Sequence, residues 1–261
     1  MTGEILSARD GGVGWLTFSN EAKRNAISLE MWQQLADVMQ GFADDPTIAA
    51  VVMRGAGEKA FVSGADISQF DAKRNNAEAA AQYSAIGDAG RRALSGFPKP
   101  LIAMIHGYCL GGGLGIAMMA DLRFAASDSQ FGIPAANLGI AYAAENVRRL
   151  IGLVGPSVAK DILFSARRLD AAEALSVGLV SRVVPPGELA GAVQAYAALL
   201  AEKAPLSLRA SKAIIDELTK PESAQDSALI PGWVKTCFDS ADYAEGRKAF
   251  AEKRKPVFTG R

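Results

Sequence analysis

The sequence predicts an α/β fold in which short buried strands alternate with helices and the C-terminal third is mainly helical. Three observations support this. Apolar runs bounded by turn residues recur at residues 13–18, 48–53, 101–105 and 122–126, as fully buried strands do. Stretches with helical period lie between them, and strand–helix–strand order favours parallel pairing. After Gly155-Pro156 the character changes, and most of 187–254 has helix-forming composition.

Taken in order, the first helix starts at Ser28, which suits an N-cap. Leu29, Trp32, Leu35, Ala36 and Met39 then share one face before Asp44-Asp45-Pro46. Residues 77–94 are Ala-rich and helical, and Phe97-Pro98-Lys99-Pro100 must break that helix because proline cannot continue it. Asp170-Ala-Ala-Glu173 reads as a capping box. No repeat of solenoid length is visible.

At 261 residues the chain is long enough for one sizeable core. Lys plus Arg and Asp plus Glu both total 28, so no basic excess points to nucleic acid. The stretch 101–120 has the length of a membrane span but contains His106 and glycines at 107, 111, 112, 113 and 115, which argues against one. The opening MTGEILSARDGG has no basic stretch leading into an apolar run, so the chain reads as cytoplasmic. Cys109 and Cys237 are the only cysteines, too few for a disulfide framework. His106 is the sole histidine, and C-x-x-C and H-E-x-x-H patterns are absent, so no metal site is expected. A lone His in an apolar strand reads as a core residue.

Two glycine turns carry the chemical information. In Lys59-Ala-Phe-Val-Ser-Gly-Ala-Asp-Ile67 an apolar strand ends at Ser63-Gly64, where glycine permits positive φ. In Ile105-His-Gly-Tyr-Cys-Leu-Gly-Gly-Gly-Leu114 a strand runs into a glycine-rich turn and then a small apolar helix, 114–120, whose free N–H groups can meet an anion. Either turn alone reads most simply as close backbone packing. A dinucleotide fingerprint would need Gly at Ile116 and a P-loop would need Lys at Gly113. Val62-Ser63-Gly64 lacks the first glycine of a hydrolase elbow.

Together, KAFVSGADI and HGYCLGGG resemble, in order and separation, the two signature segments of the crotonase, or enoyl-CoA hydratase/isomerase, family. The resemblance runs from Lys23-Arg-Asn-Ala26 through Phe131-Gly-Ile-Pro134 and Asn137-Leu-Gly139 to Arg254-Lys-Pro256. It implies a crotonase-like spiral of ββα units with a helical C-terminal region. Residues 1–195 would form the acyl-CoA-binding core and 196–261 a trimerisation region, giving a homotrimer or a dimer of trimers. It also implies that the N–H groups of Ala65 and Gly112 form an oxyanion hole for a thioester enolate, with Gly112 opening a helix whose dipole adds positive potential. Coenzyme A would enter as part of the substrate, with no separate cofactor. Lys23, Arg24 and Ala26, with Ser63, Asp66 and Ile67, would hold its nucleotide and pantetheine, and Lys and Arg suit phosphate. Gly111, Gly115, Pro134, Ala135, Leu138 and Gly139 would line the acyl side. Lys253, Arg254 and Lys255 suit the C-terminal dipole of the last helix, and the resemblance adds phosphate contact.

The sequence departs from the family at two positions. Hydratases that it resembles carry Glu where Gly115 and Ala135 stand, and adding water needs an acid and a base, which commonly contribute about 10²- to 10⁴-fold. Asp66 and Asp121 read as structural hydrogen-bonding residues. Tyr142 and Glu145 lie in the acyl-facing segment and are the candidates for a proton donor. Asn137-Leu-Gly-Ile-Ala-Tyr142 and the C-terminal tail are also similar to the methylmalonyl-CoA decarboxylase branch, which carries an acidic residue where Gly115 stands but whose chemistry needs an oxyanion hole and a proton and no water-activating base. Small residues at 115 and 135 further suggest room for a branched acyl group. The leading reading is an acyl-CoA lyase of the enoyl-CoA hydratase type. The alternatives are a malonyl- or methylmalonyl-CoA-type decarboxylase or enoyl-CoA isomerase, and a catalytically weak acyl-CoA-binding protein.

Overall fold

The computed structural model describes residues 3–66 and 77–261. Strands β1 (Glu4–Asp10) and β2 (Val13–Ser19) form an antiparallel hairpin. The hairpin turns through Gly11, whose φ of 57° suits glycine. Helix α1 (Leu29–Asp44) follows, capped as expected by Ser28, whose Oγ accepts the N–H of Met31 at 3.2 Å.

Three strand pairs then repeat one pattern. Strands β3 (Ala50–Gly55), β5 (Leu101–Ile105) and β7 (Leu122–Ala126) join the large sheet. The strand after each, β4 (Ala60–Val62), β6 (Tyr108–Leu110) and β8 (Gln130–Gly132), joins a small one. Strands β9 (Arg168–Asp170) and β10 (Arg182–Val184) complete two sheets, of order β1-β2-β3-β5-β7-β10 and β4-β6-β8-β9. Pairing is parallel from β2 to β10 and from β4 to β8. Helices α2 (Ala77–Ser95), α3 (Gly112–Ala117) and α4 (Ala144–Ser165) follow the three pairs in turn. This repeated ββα step is the spiral of the crotonase-like fold.

Side chains alternate along the large sheet into two apolar layers. Leu16, Phe18, Val51, Met53, Leu101, Ala103 and Ile105 enter the main core, between the sheets and with α1. Val13, Trp15, Val52, Ile102, Met104 and Phe124 point the other way. That face is covered by Leu189, Val193 and Ala197, which lie in the later helix 189–201. With both faces covered, these strands read as continuous apolar runs rather than alternating ones. The span-length stretch 101–120 accordingly divides into β5, β6 and α3, and no helix among the described residues is long and apolar enough to cross a membrane.

The Phe97-Pro98-Lys99-Pro100 corner is fixed by Lys99, which is buried and donates from Nζ to the carbonyls of Phe42 at 2.7 Å and Asp45 at 2.6 Å. It therefore caps the C-terminus of α1, and desolvation lowers its pKa. Asp121 accepts the N–H of Leu101 at 2.7 Å and pairs with Lys212 at 2.9 Å, tying the start of β5 to a C-terminal helix.

Three local expectations change. Helix α3 opens at Gly112 and ends at Ala117, earlier at both ends than the 114–120 pattern, because Gly111 at φ 52° turns the chain into it. Only half of the capping box forms. Asp170 accepts the N–H of Glu173 at 2.8 Å, but Glu173 turns to Arg167, which offers it two N–H groups at 2.6 and 2.8 Å. Helix α4 runs through Gly155-Pro156 with a kink at Gly155, where φ is 74° and Pro156 has no N–H to donate. Beyond it lie α5 (Ala171–Ser176), α6 (Leu189–Ala201), α7 (Pro205–Leu218), α8 (Leu229–Phe238) and α9 (Ala241–Ala251).

Candidate active site

The ends of β4 and β6, adjacent in the small sheet, bring the two glycine turns side by side. Gly64 takes φ 126° and Gly111 φ 52°, conformations that exclude ordinary side chains. A methyl group built on Gly112 would lie 3.6 Å from the backbone nitrogen of Ala65, and one on Gly64 would lie 3.9 Å from that of Gly112. The two turns thus meet in ordinary van der Waals contact at Gly64–Ala65 and Gly112.

Neither N–H is used by the fold among the described residues. Ala65 bridges Ile27 in parallel, and that bridge employs the N–H of Ile27 on Gly64 O and that of Asp66 on Ile27 O. The N–H of Ala65 is left facing away from it. Gly112 is the first residue of α3, so its N–H has no carbonyl a turn earlier to meet. Both residues are solvent-exposed although their neighbours Gly64 and Gly113 are buried.

The segment before α1 is fastened to the first turn. Ser63 donates its hydroxyl to Lys23 O at 3.1 Å, and its N–H meets Arg24 O at 3.1 Å. Lys23 pairs with Asp66 at 2.7 Å, and the Asp66 side chain is only 7% exposed. Arg24 lies in the left-handed region at φ 51°, with its guanidinium 5.2 Å from the centre of the Tyr108 ring. Ala26 is buried behind them. Ile67 lies outside the described residues.

Asn25 organises this segment, a role that sequence reasoning missed. It is 1% exposed at φ 57°, donates from Nδ2 to Ala56 O at 2.9 Å and Ala60 O at 2.8 Å, and accepts the N–H of Asn20 at 3.0 Å. The legible signal was its type, since Asn tolerates left-handed backbone and offers both donors and acceptors. Asn25→Ala should lose about 3 kcal/mol of stability in urea denaturation, from orphaned buried carbonyls and a strained φ. A change below about 1 kcal/mol would show that this network is dispensable.

Among the residues expected to line the acyl group, Gly111 donates to Gly132 O at 2.8 Å, and Pro134 Cδ would lie 3.8 Å from a methyl group on Gly111. Ala135 is buried, and its carbonyl accepts the N–H groups of Leu138 and Ile140. The turn ends at Gly139, φ 66°, and leaves Leu138 and Ile140 exposed. The room expected beside Gly115 is taken. A methyl group there would meet Asn146 Nδ2 at 2.8 Å and the Tyr142 hydroxyl at 3.0 Å.

Tyr142 donates its hydroxyl to Gly111 O at 2.9 Å. Burial raises its pKa well above the usual tyrosine value, the nearby Cys109 adds to the shift, and a hydrogen bond with Asn146 opposes it. It is therefore a neutral phenol at physiological pH. Glu145, by contrast, is exposed. His106, expected in the core of the strand, is instead half-buried just past the end of β5, where the chain turns toward Gly107. Among the described residues no cluster of His, Cys, Asp and Glu is disposed to hold a metal ion.

Residues 8–261 match the family model described as enoyl-CoA hydratase/isomerase. The chain belongs to the enoyl-CoA hydratase/isomerase family. It is 35% identical over 254 residues to a crotonyl-CoA hydratase of Syntrophomonas wolfei, covering 97% of each chain. It is 33% identical over 265 residues to a carnitinyl-CoA dehydratase of Escherichia coli O157:H7, covering both chains entirely. A crystal structure of an enoyl-CoA hydratase/carnithine racemase from Magnetospirillum magneticum superimposes with a TM-score of 0.93 at 37% identity, over 98% of this chain and 96% of that one. In this family member Gly115 lies in α3 and Ala135 in the turn that follows β8.

Proposed function

We propose that this family member is an acyl-CoA lyase of the enoyl-CoA hydratase type, whose reactive species is a thioester enolate held between the N–H groups of Ala65 and Gly112. The observation that carries this reading is the close approach of the two turns that hold those groups, both residues exposed and neither N–H bonded among the described residues. A thioester carbonyl gains negative charge as it becomes an enolate, so fixed donors stabilise it more in the transition state than in the substrate. Coenzyme A enters as part of the substrate, and the reading needs no metal or further cofactor. The turn holding Ser63 and Asp66, the segment Lys23–Arg24–Ala26, and the wall formed by Gly111, Gly115, Pro134, Ala135, Leu138 and Gly139 are proposed to contact it.

A second reading, decarboxylation of a malonyl-type thioester, is favoured by the neutral groups that stand beside Gly115. Loss of CO₂ leaves its electron pair on Cα as the enolate, so no base is needed and only a proton must be delivered. Apolar side chains exposed on 196–261, among them Ile215, Phe238 and Phe250, support the proposal that this region joins copies of the chain in a trimer or a dimer of trimers.

Product analysis separates the readings. Purified protein incubated with crotonyl-CoA, malonyl-CoA and methylmalonyl-CoA, followed by mass spectrometry, is expected to give a hydrated product from crotonyl-CoA. CO₂ loss from the dicarboxylic thioesters instead would establish the decarboxylase. Tight binding of all three without turnover would contradict both and leave an acyl-CoA-binding protein.

A further inference from the structure

The oxyanion donor proposed at Gly112 belongs to the peptide unit that joins Gly111 to Gly112, and the opposite end of that unit is itself held. Its carbonyl, on Gly111, accepts two hydrogen bonds: the Tyr142 hydroxyl at 2.9 Å and the N–H of Gly115 at 3.1 Å. A trans peptide is planar, with C=O and N–H pointing in opposite directions. Fixing the carbonyl direction therefore fixes the direction of the Gly112 N–H. Donation to the carbonyl also draws charge along the amide and strengthens its N–H as a donor, as in any chain of hydrogen bonds in a low-dielectric site.

Glycine makes this support necessary. Gly111 is at φ 52° and ψ −116°, and Gly112 follows it at the start of a six-residue helix. Neither has a side chain to pack, so the peptide between them has little else to restrain its rotation. Asn146, four residues further on, sets its side-chain amide over the same space as the Tyr142 hydroxyl, the two lying 2.8 and 3.0 Å from a methyl group built on Gly115. The pair fills the space over Gly115, so that a residue with a side chain at 115 would displace it.

We infer that Tyr142 and Asn146 are positioning residues that clamp and polarise the Gly111–Gly112 peptide, tuning the strength of the oxyanion hole from its carbonyl side. The inference rests on the enolate reading above and assigns the Tyr142 proton to Gly111 O rather than to the substrate carbon. It also assigns Gly115 a function: its lack of a side chain is what admits the pair.

The test is the carbonyl stretch of butyryl-CoA, labelled with carbon-13 at the thioester carbonyl and bound to the intact protein, read by difference infrared spectroscopy. This saturated ligand reports hydrogen bonding to the carbonyl without any proton transfer. Wild type is expected to lower the stretch. Tyr142→Phe keeps the ring in place and should return the stretch part of the way to its free value. It should also cut kcat about tenfold on whichever thioester wild type turns over, the worth of one weakened bond to a developing anion, with KM unchanged. Asn146→Ala, which removes the amide packed beside the Tyr142 hydroxyl, should move both readouts the same way by less. A full wild-type shift retained in Tyr142→Phe would overturn the clamp, and a fall in kcat beside it would return Tyr142 to the role of proton donor. Absence of any shift in wild type with ligand bound would instead refute the oxyanion reading on which the clamp depends.

Discussion

Gly113→Ala is expected to cost at least about 3 kcal/mol of stability and to abolish activity, the largest effect of any single methyl group near the site. A Cβ there would fall 1.8 Å from the carbonyl oxygen of Val62 and 2.6 Å from its carbonyl carbon. These are backbone atoms of β4, and they cannot swing aside as a side-chain end would. To admit the methyl group, β4 and α3 must separate, which pulls the turn at Gly64 away from the turn at Gly111. Its neighbours provide the contrast. At Gly112 the nearest atom to a Cβ is 3.6 Å away, an ordinary contact, so Gly112→Ala should fold with near wild-type stability. At Gly115 the conflict is with the flexible ends of Asn146 and Tyr142, so Gly115→Ala should fold with a rearranged pair. Urea denaturation of the three variants checks the order. Equal losses at all three would mean that the close approach of β4 and α3 is not what sets them.

Gly112→Pro is expected to lower kcat by about 10²- to 10³-fold while leaving a folded protein. Proline is well accepted at the first position of a helix, where its missing N–H makes no intrahelical bond and its fixed φ suits the turn. Gly112 occupies that position in α3. The substitution removes the proposed donor and sets a ring carbon in its direction, so both the hydrogen bond and its space are lost. The measurement is steady-state turnover beside a circular dichroism melt. Full activity in a folded Gly112→Pro protein would remove Gly112 from the oxyanion hole.

Much of this architecture was legible because its causes are local. Ser28 caps α1 with a hydroxyl that acts within three residues, and β5 and β7 begin and end where their apolar runs do. The shorter strands were less visible. Strands β8, β9 and β10 have three residues each, too few for a period to show, and they exist because a neighbouring strand offers them a ladder. The glycine turns were legible as turns, but their meeting was not. That Gly64–Ala65 and Gly112 come into contact depends on β4 pairing with β6, a contact between residues distant in sequence. The resemblance to a family supplied that step, and the geometry is consistent with it.

The wall proposed for the acyl group was the least legible part. Gly115 and Ala135 suggested vacant space, since a missing side chain is all that a sequence records. In the fold, the start of α4 brings Asn146 and Tyr142 over Gly115, and nothing in the local pattern of either residue announces it. Asn25 was overlooked for a related reason: its partners, at Ala56 and Ala60, lie beyond a helix and a strand. Polar side chains that tie distant loops together have no periodicity to give them away.

Whether two backbone N–H groups hold the thioester oxygen is decided by the infrared carbonyl stretch of carbon-13-labelled butyryl-CoA bound to wild type and to Gly112→Pro. The wild-type stretch should fall below that of the free thioester, and most of that displacement should vanish in the variant. A bound ligand whose carbonyl vibrates as it does in water, or one displaced equally in both proteins, would contradict the oxyanion-hole reading.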